Sequence, residues 1–155
     1  IRTWVEGGIP LLGICLGTQV IFSSSEENDT ACLGIVPGMV KRFPELVDPD
    51  GRPLKIPHMG WNSVHFTREH PVFRDIPAGA EFYFVHSYYP DPAPDPAPNL
   101  ADDNWVIGQT QYGITFCSAV AHKNLVAVQF HPEKSGRPGL QILANFCRWG
   151  GRDVE

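Results

Sequence analysis

Ile9-Pro10-Leu11-Leu12-Gly13-Ile14-Cys15-Leu16-Gly17-Thr18-Gln19-Val20-Ile21-Phe22 is the stretch on which the reading of this chain turns. Residues 9–15 form an apolar run of strand length, without the alternation of a half-exposed strand, as a buried parallel strand requires. Residues 17–22 then suit a helix, which the polar run Ser23-Ser24-Ser25-Glu26-Glu27 ends. Upstream, residues 1–6 read as the end of a helix closed by Gly7-Gly8. Helix, strand, tight turn and helix in succession point to an α/β architecture.

Farther along, Pro and Gly separate short β-prone runs at residues 33–43 and 61–66. Residues 81–89 are aromatic and β-prone. They lead into residues 90–98, where Asp-Pro-Ala-Pro occurs twice in succession. With proline at every second position, that segment is expected to stay out of any ladder as a stiff exposed loop. Residues 105–112, 116–121 and 125–130 read as three more strands, with His122-Lys123-Asn124 as the last hairpin turn. The tail, residues 140–149, carries Leu140, Leu143, Ala144 and Cys147 at helical spacing and reads as an amphipathic helix stopped by Gly150-Gly151.

The chain has 155 residues, 43% apolar and 19% charged, enough for one hydrophobic core and one domain over residues 1–155. Lys and Arg number 12 against 17 Asp and Glu, and a net charge of −5 repels phosphate backbones, so nucleic acid is excluded as a partner. Residues 7–25 are uncharged, but four glycines, Pro10, Thr18, Gln19 and three serines rule out a lipid-facing helix, and no membrane association is expected. Cys15, Cys32, Cys117 and Cys147 form no C-x-x-C pair and are too sparse for a secreted disulfide framework, so a cytoplasmic location is expected. Cys32, Cys117 and Cys147 have apolar neighbours and are expected in the core. No His or Cys pair has zinc spacing, and neither metal nor cofactor is expected.

Gly13-Ile14-Cys15-Leu16-Gly17 is a G-x-C-x-G element where an apolar strand turns into a helix, the context of a nucleophile elbow. Small flanking residues allow a sharp turn from which the central side chain projects. At a helix N-terminus the dipole and free N–H groups favour the thiolate, and the Leu16 amide can help hold an oxyanion. The alternative is a small buried cysteine in a glycine-rich turn. A base is on offer in Val128-Gln129-Phe130-His131-Pro132-Glu133-Lys134. Pro132 keeps His131 extended. In an extended segment Glu133 shares the face of His131 and can fix its tautomer. Taken alone, His131 reads equally as a satisfied strand-end histidine. Cys15, His131 and Glu133, in that order, suit a site assembled at the carboxyl ends of neighbouring strands.

Residues 13–19, Gly-Ile-Cys-Leu-Gly-Thr-Gln, and residues 130–135, Phe-His-Pro-Glu-Lys-Ser, together resemble the class I (triad) glutamine amidotransferases. Within that family, Ser24-Ser25-Glu26-Glu27, Pro57-His58-Met59-Gly60-Trp61-Asn62 and Phe82-Tyr83-Phe84-Val85-His86-Ser87-Tyr88-Tyr89 are similar to the glutaminase subunits of imidazole glycerol phosphate synthase. The resemblance runs from Ile1 to about Trp149. It implies a flavodoxin-like α/β fold with a mixed, mostly parallel sheet and flanking helices. It also implies glutamine hydrolysis through a γ-glutamyl thioester on Cys15, with His131 as base and then acid and Glu133 orienting it. That would be the glutaminase half-reaction of a lyase-class synthase. The ammonia would pass to a cyclase subunit, a (β/α)8 barrel, in a heterodimer that makes imidazole glycerol phosphate and aminoimidazole carboxamide ribotide in histidine biosynthesis.

By the same resemblance, Gln19, Glu27, Ser87 and Tyr88 hold L-glutamine, the last two mostly through backbone groups. Gln19 also stands about one helical turn beyond Cys15. Trp61, Asn62, Tyr83 and Lys134 would face the cyclase, with Tyr83 near the ammonia exit. Without the resemblance, Trp61 and Tyr83 read as core residues and Glu27 as a solvated helix-end carboxylate. His86 reads as a structural histidine outside the triad. The family has strands and a helix upstream of the region matched by Ile1, including a glycine-rich segment that gives a second oxyanion contact. Fold and site are therefore expected to be incomplete here, with one edge of residues 9–15 uncovered. Rival readings are another class I amidotransferase, a related cysteine γ-glutamyl hydrolase or peptidase, and a non-catalytic binding module, against which an intact Cys15, His131 and Glu133 speak.

Overall fold

The computed structural model describes residues 1–93 and 105–151. Helix α1 spans Arg2–Glu6, strand β1 Leu11–Ile14, and α2, a single turn, Leu16–Gln19. Short strands β2 (Ser24–Ser25), β3 (Thr30–Ala31) and β4 (Gly38–Arg42) come next, then β5 (His58–Ser63), β6 (His65–Phe66), β7 (Glu81–His86) and β8 (Tyr88–Pro92). Strands β9 (Val106–Tyr112), β10 (Ile114–His122) and β11 (Leu125–Val128) precede a 3₁₀ turn at Pro132–Lys134 and helix α3 at Gly136–Arg148.

The central sheet has the order β1-β11-β10-β9-β6, beside a sheet of order β3-β2-β4-β8 and the β5–β7 ladder. Strand β1 runs parallel to β11, pairing Leu11 with Leu125 and Ile14 with Val128. Strand β11 is buried throughout and apolar on both faces. Val126 and Val128 pack with Phe82, Phe84, Phe130 and Ile142, while Leu125 and Ala127 pack with Ile21, Phe22, Val36 and Val40. A strand sandwiched in this way must read as a continuous apolar run, which explains why residues 125–130 show no alternation. Phe82, Phe84 and Phe130 are fully buried, each contributing about 1.5–3 kcal/mol through removal from water.

The fold is mixed α/β as expected, but the balance of strand directions differs. Among the described residues two of the eight ladders are parallel, β1–β11 and β2–β4. Strands β9, β10 and β11 follow one another through tight turns, which force antiparallel pairing. The last of these turns is two residues, Lys123-Asn124, since His122 already pairs with Leu125. Strand β1 lies at the sheet edge, so its leucines and Ile14 are only half-buried rather than interior.

Three further expectations are corrected. Pro90 and Pro92 join β8, opposite Val40 and Gly38 of β4. The Val40 and Gly38 carbonyls accept from Glu26 N–H and Ser23 N–H on the β2 side. Those positions therefore form non-hydrogen-bonded pairs with β8, and proline there loses no ladder bond. Pro94 and the whole second Asp-Pro-Ala-Pro copy, residues 95–98, lie outside the described residues. On α3 the buried face is Gly139, Ile142 and Asn145, with Trp149 just beyond the helix. Leu140 and Cys147 are exposed instead, because Asn145 turns inward to donate to the Val72 and Arg74 carbonyls. Of the three cysteines expected in the core only Cys117 is there; Cys32 is half-buried and Cys147 exposed.

Candidate active site

Cys15 sits at the N-cap of α2 with φ 50° and ψ −104°, a backbone strain of the kind a projecting nucleophile requires. Two bonds hold the turn against the end of β11. Cys15 N–H donates to Val128 O at 2.9 Å, and the buried Thr18 hydroxyl donates to the same oxygen at 2.5 Å. Gly13 is needed for close approach, since a Cβ there would lie 2.8 Å from both Ala127 Cβ and Gly17 O. Gly17 has open space where a Cβ would go, so the expectation that both flanking glycines make room holds for Gly13 alone.

The Cys15 sulfur accepts from Gln129 Nε2 at 3.7 Å and lies 4.0 Å from Val85 O. Burial pushes the thiol above its ordinary range; the Leu16 amide opposes this, and the Glu133 carboxylate reinforces it. The Leu16 amide favours the thiolate, as expected at a helix N-terminus, but it is the smaller effect. A four-residue helix has little dipole to offer, and desolvation wins. The thiol is neutral at rest and needs a base.

His131 is extended, with φ −103° and ψ 96°, and its N–H donates to Tyr83 O at 2.9 Å. The Ser135 hydroxyl accepts from Tyr83 N–H at 3.0 Å and donates to His131 O at 2.5 Å, fastening the segment to β7. Glu133 reaches the ring, its Oε1 lying 2.7 Å from His131 Nδ1. It does so from the Pro132–Lys134 3₁₀ turn rather than along an extended strand as expected. Proton donation from Nδ1 to Glu133 leaves the lone pair on Nε2, a buried nitrogen with no hydrogen-bond partner among the described residues.

Gln19, also buried, donates from Nε2 to the Tyr88 carbonyl and to Gln129 Oε1, both at 3.0 Å. Gln129 was missed by sequence reasoning and ties Gln19 to the Cys15 sulfur. Its signal was an amide inside the apolar run of residues 125–130, since a buried amide must find partners. Ser87 joins β7 to β8, and its carbonyl accepts from Phe43 N–H at 3.0 Å. Glu27 lies exposed in the 3₁₀ turn Glu27–Asp29, and among the described residues no hydrogen bond connects it to the Cys15 cluster. His86 is hydrogen-bonded at both ring nitrogens, to His58 and Tyr88.

Trp61 and Tyr83 are register partners on β5 and β7, with rings edge-to-face at 6.2 Å. Lys134 Nζ lies 6.0 Å from the Tyr83 ring centroid, and the Tyr83 and His131 ring centroids are 6.5 Å apart. This partly exposed patch adjoins the candidate base. Asn62 occupies the other face of β5, where its Nδ2 meets His58 and Gln111 O. A groove of about 890 Å³ lined by Phe66, Arg68, His70, Phe73 and Arg74 shares no residue with this cluster. Among the described residues no group of three His, Cys, Asp or Glu side chains could hold a metal ion, and no helix is long and apolar enough to cross a membrane.

A family profile described as glutamine amidotransferase class-I matches residues 1–149. The chain belongs to the class I glutamine amidotransferases. It is 49% identical over 150 residues to the imidazole glycerol phosphate synthase subunit HisH of Maridesulfovibrio salexigens, covering 96% of this chain and 66% of that protein. It is 54% identical over 143 residues to the HisH subunit of Methylococcus capsulatus, covering 90% of this chain and 62% of that one. This amidotransferase chain therefore spans just under two thirds of the length of those relatives. Among solved structures, the glutaminase domain of Trypanosoma brucei CTPS superposes with a TM-score of 0.58 at 18% identity, covering 99% of this chain and 65% of that one. A glutamine amidotransferase from Thermotoga maritima gives 0.57 at 16% identity, covering 95% and 50%. At such identities these two likenesses speak to the amidotransferase fold alone.

Proposed function

We propose that this chain belongs to the glutaminase subunit of an imidazole glycerol phosphate synthase, hydrolysing L-glutamine and delivering ammonia to a cyclase subunit in histidine biosynthesis. The observation that carries the chemistry is the uncommitted His131 Nε2, its tautomer fixed by Glu133, whose carboxylate stands near enough to the neutral Cys15 thiol to raise it. Nε2 takes the thiol proton as Sγ attacks the γ-amide carbon. The Leu16 amide, which already stabilises charge on the sulfur, faces the developing oxyanion. The tetrahedral adduct collapses, the C–N bond breaks, and the proton on Nε2 goes to the leaving nitrogen, releasing ammonia and leaving a γ-glutamyl thioester. Water, deprotonated by the same Nε2, then cleaves the thioester to glutamate and restores the thiol.

Gln19 spends both amide hydrogens on Tyr88 O and Gln129, so its Oε1 is the atom it offers to glutamine, with Ser87 and Tyr88 supplying backbone groups. Glu27 would supply the anion for the substrate's ammonium. Trp61, Tyr83 and Lys134 form the cyclase-facing patch, with Asn62 behind it, and Tyr83 lies beside His131 where ammonia would leave. Identity of about half to HisH subunits favours this partner over those of other class I amidotransferases. The reducing cytoplasm suits the four free thiols.

Ammonia release from glutamine, measured on the full-length protein with and without the cyclase, tests the reading. Cys15→Ala should abolish it while the complex still cyclises with added ammonium salt. Retained hydrolysis in that variant overturns the nucleophile, and indifference to the cyclase overturns the partner.

A further inference from the structure

His58 and His86 are buried and play no part in the chemistry above. They are register partners across the β5–β7 ladder, with His58 Nδ1 3.0 Å from His86 Nε2. At one end His86 Nδ1 lies 2.7 Å from the Tyr88 carbonyl. At the other, Asn62 Nδ2 lies 3.2 Å from His58 Nε2 and 2.9 Å from Gln111 O, while Asn62 Oδ1 accepts from Ser63 N–H at 2.8 Å. The last two contacts fix which way the Asn62 amide points.

A carbonyl oxygen only accepts and an amide nitrogen only donates, so the two ends dictate one proton arrangement. His86 carries its hydrogen on Nδ1 and gives it to Tyr88 O. Its Nε2 accepts from His58 Nδ1–H, and His58 Nε2 accepts from Asn62. Both rings are neutral: burial lowers His58 to about 4, and burial with the nearby His58 and His131 lowers His86 to about 3 against the opposing Tyr88 carbonyl. The rings around the pair are Phe43, Phe84, Tyr112 and Phe116. Tyr88 O is also where Gln19 Nε2 donates, and Gln19 leads through Gln129 to the Cys15 sulfur. Two imidazoles buried in an aromatic core, where aromatic or aliphatic side chains could pack, are thus spent on orienting one backbone carbonyl of the candidate pocket.

We propose that His58 and His86 are positioning residues for glutamine: with Asn62 selecting their tautomers, they hold the Tyr88 carbonyl, and through it Gln19, in the geometry that receives the substrate. The proposal rests on the glutaminase reading above.

The test uses the full-length protein in complex with its cyclase. His86→Leu removes the donor to Tyr88 O and should raise KM for glutamine about tenfold or more, the scale of one lost buried hydrogen bond, with a smaller fall in kcat. His86→Asn can donate from close to the position of Nδ1 and should restore most of the affinity. An unchanged KM in His86→Leu overturns the positioning role. Should that variant fail to fold, Asn62→Leu, at the half-buried end of the chain, is expected to raise KM several-fold, and no change there overturns the role. Nitrogen-15 spectra of the wild type should show both histidines protonated at Nδ1, and an Nε2–H form of His86 overturns the arrangement. Absence of ammonia release by the wild type overturns the glutaminase reading itself, whereas release with an unshifted KM in the variants overturns only the positioning role.

Discussion

Glu133 Oε1 lies 2.7 Å from His131 Nδ1, and the opposite ring nitrogen, Nε2, is buried without a hydrogen-bond partner among the described residues. The carboxylate's contribution is orientation and tautomer, so its loss should appear in turnover rather than in binding. Glu133→Ala in the full-length complex is expected to lower kcat for glutamine hydrolysis about 10²-fold or more, the scale of general-base catalysis, with KM little changed. A fall in affinity without a fall in kcat would assign Glu133 to the substrate instead.

The Cys15 thiol, raised above its ordinary value of 9.0 chiefly by burial, keeps its proton at neutral pH. In the absence of substrate, iodoacetamide at pH 7 should label exposed Cys147 before Cys15. The rate at Cys15 should still be rising above pH 9. Peptide-resolved mass spectrometry over time checks both, and faster labelling of Cys15 at pH 7 would point to a resting thiolate.

The buried histidines link stability to pH. Both titrate near 6.5 when unfolded but at about 4 for His58 and about 3 for His86 when folded, so between those limits the unfolded chain binds more protons. Stability should be flat above about pH 7 and fall as pH drops below about 6.5, by at most about 1.4 kcal/mol per pH unit for each histidine. Urea midpoints measured from pH 7.5 to 4.5 check the trend, and replacing His86 with a neutral residue should flatten it. Unchanged midpoints over that range would mean that the imidazoles take up their protons while folded.

Gly13 and Gly17 should respond differently to alanine. A Cβ at Gly13 meets Ala127 Cβ and Gly17 O at 2.8 Å, whereas one at Gly17 meets nothing within 4 Å. Gly13→Ala should cost about 1–3 kcal/mol in overpacking, and Gly17→Ala should leave the urea midpoint nearly unchanged. Equal losses at the two sites would mean that the turn relaxes in a way the static contacts do not show.

Why some of this was legible and some not comes down to the range of the interactions. The elbow is local: an apolar run, Gly13 and Cys15 lie within a few residues, and the strained φ at Cys15 follows from the short turn they form. The pairing of His131 with Glu133 is nearly as local, although a 3₁₀ turn delivers it. Gln129 gains its meaning only from Gln19 and Cys15, both more than a hundred positions away in sequence, and a sequence pass sees an isolated amide. The thiol's protonation depends on how deeply the fold buries it, which motif spacing does not encode. On α3, Asn145 takes an inward place because two carbonyls from the Val72–Arg74 segment need donors, so a stripe drawn from apolar residues alone was rotated off the true one.

Pro90 is buried and lies in β8 opposite Val40, at a position whose backbone nitrogen points away from β4. Any other residue there would bring an amide hydrogen to the side away from β4, where β8 has no ladder among the described residues, and an unmatched buried donor costs about 1–3 kcal/mol. Proline brings no such hydrogen. Conventionally a strand breaker, it is here the residue that lets a strand end its sheet inside the protein without leaving a polar group stranded.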